Sequence, residues 1–191
     1  MATPPVNPFA GKQDPIDSLR AELDRIEVEI VSADGTVTVS MTRRAGVTVG
    51  LPPEAAAKHR TEASLARQAS RAVTEAMRAY ADRIVELADA QLSRGWRQPD
   101  RPRDERAERL AAETDRIRAV GKSPAGHVLA VRTGDTTPNL DLDIRDGALS
   151  ELPPEQLATE ISAAVQEANR NFRSQRASSH RRVYDSGSDH E

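Results

Sequence analysis

The sequence predicts an α+β fold: two tandem α-β-β-β-α modules, each a three-stranded antiparallel meander flanked by helices, packed as an intrachain pseudo-dimer. Three observations carry this. The chain repeats itself: Arg20-Ala21-Glu22-Leu23-Asp24-Arg25-Ile26 returns as Ala111-Ala112-Glu113-Thr114-Asp115-Arg116-Ile117, and the same offset maps Ser32, Gly35 and Val37 onto Ser123, Gly126 and Val128. Farther on, Leu51-Pro52-Pro53-Glu54 returns as Leu152-Pro153-Pro154-Glu155. Leu65, Ser70, Val73, Glu75 and Arg78 return as Leu157, Ser162, Val165, Glu167 and Arg170. The matches are collinear, so two copies of one fold account for them, and the copies can pack on each other as two subunits do. Period-two alternation between Gly turns supplies the strands, and stripes spaced by three and four residues supply the helices.

The elements follow in order. Asp14-Pro15 reads as helix cap and first helical residue. Ile16, Leu19, Leu23, Ile26 and Ile30 form a narrow seam; the helix should end near Ile26, because Glu27-Val28-Glu29-Ile30-Val31 alternates like a strand. Ala33-Asp34-Gly35 turns the chain, Thr36–Met41 alternates again, and Arg44-Ala45-Gly46 turns it into a third strand at Val47-Thr48-Val49. Pro52-Pro53 stops that strand and starts a long helix over 54–92, whose apolar stripe is Leu65, Ala69, Val73, Ala76, Tyr80, Ile84 and Leu87. The second copy places strands near 117–121, 127–131 and 140–144, then a helix over 154–176 carrying Leu157, Ile161, Ala164, Val165, Ala168 and Phe172. Residues 1–13 read as disordered, 14–92 as the first module, 93–104 as a linker, 105–176 as the second module and 177–191 as a disordered tail. Trp96 in the linker either anchors it to a module or contacts a partner.

Composition excludes several classes. There is no Cys, which removes disulfides, thiolate metal sites and thiol nucleophiles and fits a reducing cytoplasm. No apolar run is long enough to span a membrane, and the Pro-rich start lacks the core of a signal peptide. The chain is 37% hydrophobic but only 3% aromatic, so its cores are thin and two small modules need each other's packing. Net charge is −3, so any affinity for nucleic acid rests on how charge is distributed rather than on its sum.

Each copy thus reads as helix, three strands, helix, and this pattern resembles the YbaB/EbfC family of bacterial nucleoid-associated proteins. The matching stretches are Gly35-Thr36-Val37-Thr38-Val39 with Ala69–Ala76, and Gly126-His127-Val128-Leu129-Ala130 with Ala164–Ala168. The resemblance covers roughly residues 16–92 and 105–176. It implies homodimer-like tweezers with projecting helices that bind duplex DNA with little sequence preference. Members of the wider group accompany type VII secretion systems, which implies a protein-partner role as the alternative. This chain differs in being a tandem copy and in lacking a Gln- and Met-rich first helix.

Two basic features could serve DNA. Arg60, Arg67, Arg71 and Arg78 line one strip of the first long helix, opposite its apolar stripe. Guanidinium groups pair with phosphate oxygens; equally, the strip is a solvated face balanced by Glu75 and Asp82. Arg170, Arg173, Arg176, Arg181 and Arg182 form an acid-free arm, read either as a DNA contact or as a solubilising end. Asp135, Asp141, Asp143 and Asp146 lack the Gly-containing loop spacing of a calcium site and read as an exposed strand face. His59, His127, His180 and His190 have no partners at ligand spacing, and no nucleophile motif or phosphate loop appears. The expectation is therefore a non-enzymatic, cofactor-free, sequence-tolerant DNA-binding protein of the cytoplasm and nucleoid, without a metal site. A protein-interaction or chaperone-like module is the alternative, and further self-association stays open.

Overall fold

The computed structural model describes residues 15–54, 58–59, 61–93, 105–134 and 138–185. Helix α1 (Pro15–Leu23) leads into β1 (Glu27–Val31), β2 (Thr38–Thr42) and β3 (Gly46–Gly50), and the long helix α2 (Glu62–Ser93) follows. The order then recurs as α3 (Glu105–Asp115), β4 (Arg118–Lys122), β5 (Val128–Thr133) and β6 (Asn139–Ile144). A one-turn helix, α4 (Ala148–Glu151), precedes the long α5 (Pro154–Asp185). The protein is α+β, with two separate three-stranded antiparallel sheets, β1-β2-β3 and β4-β5-β6.

The first hairpin of each sheet closes on the same chemistry. Ser32 N donates to Val37 O at 2.8 Å and Gly35 N to Ser32 O at 2.8 Å; Ser123 N donates to Val128 O and Gly126 N to Ser123 O, both at 2.9 Å. Each Ser hydroxyl oxygen also accepts the amide five residues on, Val37 N at 2.9 Å and Val128 N at 3.0 Å. Gly35 and Gly126 sit at φ 71° and 79°, a region only Gly enters without steric cost. The first turn alone adds Asp34, which accepts the Ser32 and Thr36 hydroxyls at 2.7 Å each. Burial opposes the charge on Asp34, but those hydrogen bonds outweigh it and hold the carboxyl at a pKa of about 2, below its ordinary 3.8.

Each long helix packs on its own sheet and on the last strand of the other: α2 on β1, β2 and β6, and α5 on β4, β5 and β3. Paired hydroxyls make the crossing. Ser70 Oγ accepts Leu142 N at 2.9 Å and donates to Ala66 O at 2.7 Å. Ser162 Oγ accepts Val49 N at 2.8 Å and donates to Ala158 O at 2.8 Å. One turn farther, Thr74 accepts Leu140 N at 3.1 Å and Gln166 donates to Val47 O at 2.9 Å. The edges of β6 and β3, which have no neighbouring strand, are thus met by side chains from the opposite half. The buried apolar residues follow suit. Val37, Val39, Leu65 and Val73 belong to one contiguous cluster with Val128, Leu140, Ile161 and Val165.

The remaining edge of the second sheet closes on α5 as well. Lys122 N donates to Glu167 Oε2 at 2.6 Å and Asn171 Nδ2 to Val120 O at 2.7 Å. Gly121 makes this approach possible, since a Cβ there would lie 2.2 Å from both Ala164 O and Ala168 N.

Several sequence expectations are corrected. The α2 helix starts at Glu62, not Glu54. Thr61 caps it, accepting Ser64 N through its side chain at 3.3 Å and through its carbonyl at 3.0 Å. The stretch before it instead brings buried His59 to the turn, with Nε2 2.7 Å from Thr36 Oγ1. The first helix ends at Leu23, three residues early. The tail expected from residue 177 is helical to Asp185, because α3 packs along this end of α5. Ser179 is buried there and Arg182 pairs with Glu113 at 3.4 Å. The α4 turn was not foreseen; Glu62 Oε1 caps it by accepting Gly147 N at 2.9 Å and Leu149 N at 3.3 Å. The expected disordered start over 1–13 and linker residues 94–104, Trp96 included, lie outside the described residues.

Two outcomes follow. Gly121→Ala should destabilise the whole chain in one cooperative urea transition by about 1–3 kcal/mol or more, because the neighbouring Ala164 and Ala168 atoms are backbone and cannot rotate away. For Asp34 the folded pKa lies below the unfolded one, so its contribution is complete above about pH 4 and lost as pH falls toward 2. Asp34→Asn should flatten the acid side of a melting-temperature profile in that window.

Candidate polyanion-binding cleft

The β2–β3 connection is a three-residue loop, Arg43-Arg44-Ala45, closed by Gly46 at φ 72°. A tight loop leaves its first two side chains outside the sheet, and both are arginine. Asp24, just past α1, holds both: its oxygens lie 3.1 Å from Arg43 Nη1 and 3.1 Å from Arg44 Nη2. Hydrogen bonding from Arg44 holds the Asp24 carboxyl below its ordinary pKa, with burial opposing it.

Opposite the loop runs α5. Its apolar face is buried on the sheets, which leaves Gln166, Asn169, Arg170 and Arg173 on another face at helical spacings of three and four. Arg132 enters from β5. Val128 and Ala130 are buried, and alternation puts Arg132 on the same inward side at the strand's end. Its guanidinium lies 4.0 Å above the Phe172 ring centroid and donates through Nη1 to Asn169 Oδ1 at 2.7 Å. Phe172 in turn is buried with Ile117 and Ala119.

These pieces form a half-open cleft of about 420 Å³ lined by Arg43, Arg44, Arg132, Arg170, Arg173 and Arg176, with no acidic residue among the described residues of its lining. The loop comes from the first half of the chain and α5 and β5 from the second. The cleft concentrates fixed positive charge beside neutral donors, an arrangement suited to an anion with several oxygens.

Of the arginines expected at a DNA contact, the structure gathers Arg170, Arg173 and Arg176 here. Arg181 and Arg182 lie about one and a half turns beyond Arg176, exposed on α5, with Arg182 bound to Glu113 and to Ser179 Oγ. Arg67 and Arg71 are exposed on α2 but face β6, sharing a shallow groove with Asp141 and Asp143. Arg78 donates to Pro138 O at 3.4 Å in the adjoining groove, beside Glu75 and Asp141. Arg60 lies outside the described residues. The α2 strip and the α5 arm are therefore different environments: acids line the first and are absent from the cleft.

Sequence reasoning missed Arg43, Arg44 and Arg132. Arg44 was assigned only to a turn, and the strand was ended at Val131. A signal existed for Arg132, since continuing the alternation one step sets a charged residue on the core-facing side. No sequence signal joins the loop to α5, which lies far along the chain.

Two further titratable residues, His127 and Glu160, sit at the β4–β5 turn. His127 lies with Nδ1 3.5 Å from Glu160 Oε2 and Nε2 3.6 Å from Glu151 Oε2. Burial opposes charge on Glu160, but hydrogen bonds from Ser123, Ala125 and His127 outweigh it and lower its pKa. Among the described residues no cluster of His, Cys, Asp and Glu is placed to hold a metal ion, and no helix is long and apolar enough to cross a membrane.

No protein-family model, curated protein or solved structure matches the chain.

Phe172 carries both the hydrophobic seat of α5 and the platform for Arg132. Phe172→Ala should cost about 3–5 kcal/mol of unfolding free energy in urea titration, as expected for an emptied core site.

Proposed function

We propose that the chain is a tandem member of the YbaB/EbfC type, in which two α-β-β-β-α modules form an intrachain pseudo-dimer that binds duplex DNA without enzymatic activity and with little regard to sequence. The single observation that carries the DNA reading is the acid-free arginine cleft at the junction of the two halves. Support for the pseudo-dimer is the reciprocal exchange between halves, Ser70 to Leu142 in one direction and Ser162 to Val49 in the other. Its contact surface is α5 with the 42–46 loop rather than the α2 strip, whose arginines share grooves with acids. Recognition is electrostatic: guanidinium groups meet phosphate oxygens, and few aromatic rings are present to stack on bases. On this reading the protein works in the cytoplasm, at the nucleoid.

One observation favours a protein partner instead. Beyond Tyr80, α2 carries Ile84 and Val85 at 37% and 57% exposure, an apolar flank that among the described residues no element covers as α3 covers α5.

Gel shifts on random duplex DNA at several salt concentrations separate the two. The DNA reading expects affinity to fall steeply with salt and to vary little among sequences. Arg170→Glu with Arg173→Glu should weaken binding by about tenfold or more at low salt, and Arg67→Glu with Arg71→Glu by less. Asp24→Asn, which releases Arg43 and Arg44 from their carboxylate, should strengthen it. A folded double Glu variant at 170 and 173 that shifts DNA like the parent sinks the assignment and leaves the protein-partner reading.

A further inference from the structure

The arginine cleft has the size of a small-molecule site. Its volume of about 420 Å³ falls within the roughly 300–1,000 Å³ of ligand pockets. Arginines from the β2–β3 loop, β5 and α5 converge on this one half-open cleft. We propose that the cleft binds the phosphate chain of a small polyphosphorylated molecule, recognising a linear triphosphate and not the group attached to it.

Charge sets the valence of the ligand. Six guanidinium groups line the cleft and no carboxylate does; Asp24, outside the lining, offsets one charge of the Arg43–Arg44 pair. A chain of three phosphates presents anionic oxygens to more of these guanidinium groups at once than a single phosphate does. Geometry sets the donors. The Phe172 ring and Asn169 Oδ1 fix the plane of Arg132, so its guanidinium is oriented before a ligand arrives. Arg170 and Arg173 on α5, and Arg43 and Arg44 on the loop, have exposed side chains that can close on successive phosphates.

The same lining argues against reading a base. The one aromatic residue of the cleft, Phe172, is 1% exposed, and Arg132 covers a face of its ring. Among the described residues no second ring lines the cleft. Inorganic tripolyphosphate and a nucleoside triphosphate therefore present the same chemistry to this site.

The test is titration calorimetry on the full chain at constant ionic strength, with sodium tripolyphosphate, ATP, GTP and sulfate as separate probes. One saturable site is expected for tripolyphosphate, with ATP and GTP within about threefold of it and sulfate at least about tenfold weaker. Arg170→Glu with Arg173→Glu should weaken tripolyphosphate by about tenfold or more, while Arg181→Glu, on the same helix outside the cleft, should leave it unchanged. If circular dichroism shows the double variant unfolded, Arg173→Gln replaces it and should weaken binding measurably. Absence of saturation, several equivalent sites, equal loss in Arg181→Glu, or ATP binding far tighter than tripolyphosphate overturns the proposal. The proposal does not rest on the DNA reading. Tripolyphosphate bound at the cleft without a DNA shift supports it and overturns that one; a salt-sensitive DNA shift with no tripolyphosphate binding does the reverse.

Discussion

A sheet of three strands has two edges, and every edge exposes amides and carbonyls that must find partners or water. In this protein the helices supply the partners. Ser70 and Thr74 of α2 meet β6, Ser162 and Gln166 of α5 meet β3, and Glu167 and Asn171 of α5 meet β4. Because the first two pairs reach across to the other sheet, neither long helix can leave without stripping hydrogen bonds from the half it does not belong to. The shared core has the same consequence. With aromatic residues at 3% of the chain, burial relies on Val, Leu, Ile and Ala, and half of such a core is too small to stand alone.

The two halves are alike in plan and unlike in finish. Gly121 admits the backbone of α5 onto β4, while Ile30 stands at the corresponding place in β1 and packs against the core. Each long helix has 32 residues, about 48 Å, against strands of five or six residues, so each overhangs its sheet. On α5 the overhang is covered by α3, where Ser179 is buried and Arg182 meets Glu113, while Phe172 is buried with Ile117 and Ala119. On α2 it leaves Ile84 and Val85 exposed. The arginine cleft belongs to the better-covered helix, and its buried Phe172 is what holds Arg132 in place.

Charge distribution follows from this packing rather than from helix identity. Both long helices carry arginines at repeating intervals. Those of α2 lie along β6, whose outward positions are Asp141 and Asp143, so the strip and the strand neutralise each other. Those of α5 lie along the Arg43-Arg44 loop, where like charges gather and Asp24 pairs with both loop arginines. A chain of net charge −3 thereby presents one concentrated positive site.

By itself the sequence determined the element order, the turn chemistry and the apolar faces, because these are local. Ser32 and Gly35, and Ser123 and Gly126, close their hairpins with atoms a few residues apart. Leu157, Ile161, Ala164, Val165, Ala168 and Phe172 are buried as their spacing required. Boundaries went wrong where a distant contact decided them. His59 meets Thr36 just before α2 begins, and α3 packs along α5 where it stays helical past residue 177. The candidate site was half legible. Arg170, Arg173 and Arg176 stand out as an acid-free run, but a run carries no sign of what faces it. Only the tertiary structure set the 42–46 loop and Arg132 against them and Asp141 against Arg71. Electrostatic partners are chosen by distance in space, which the spacing of residues along one chain does not encode.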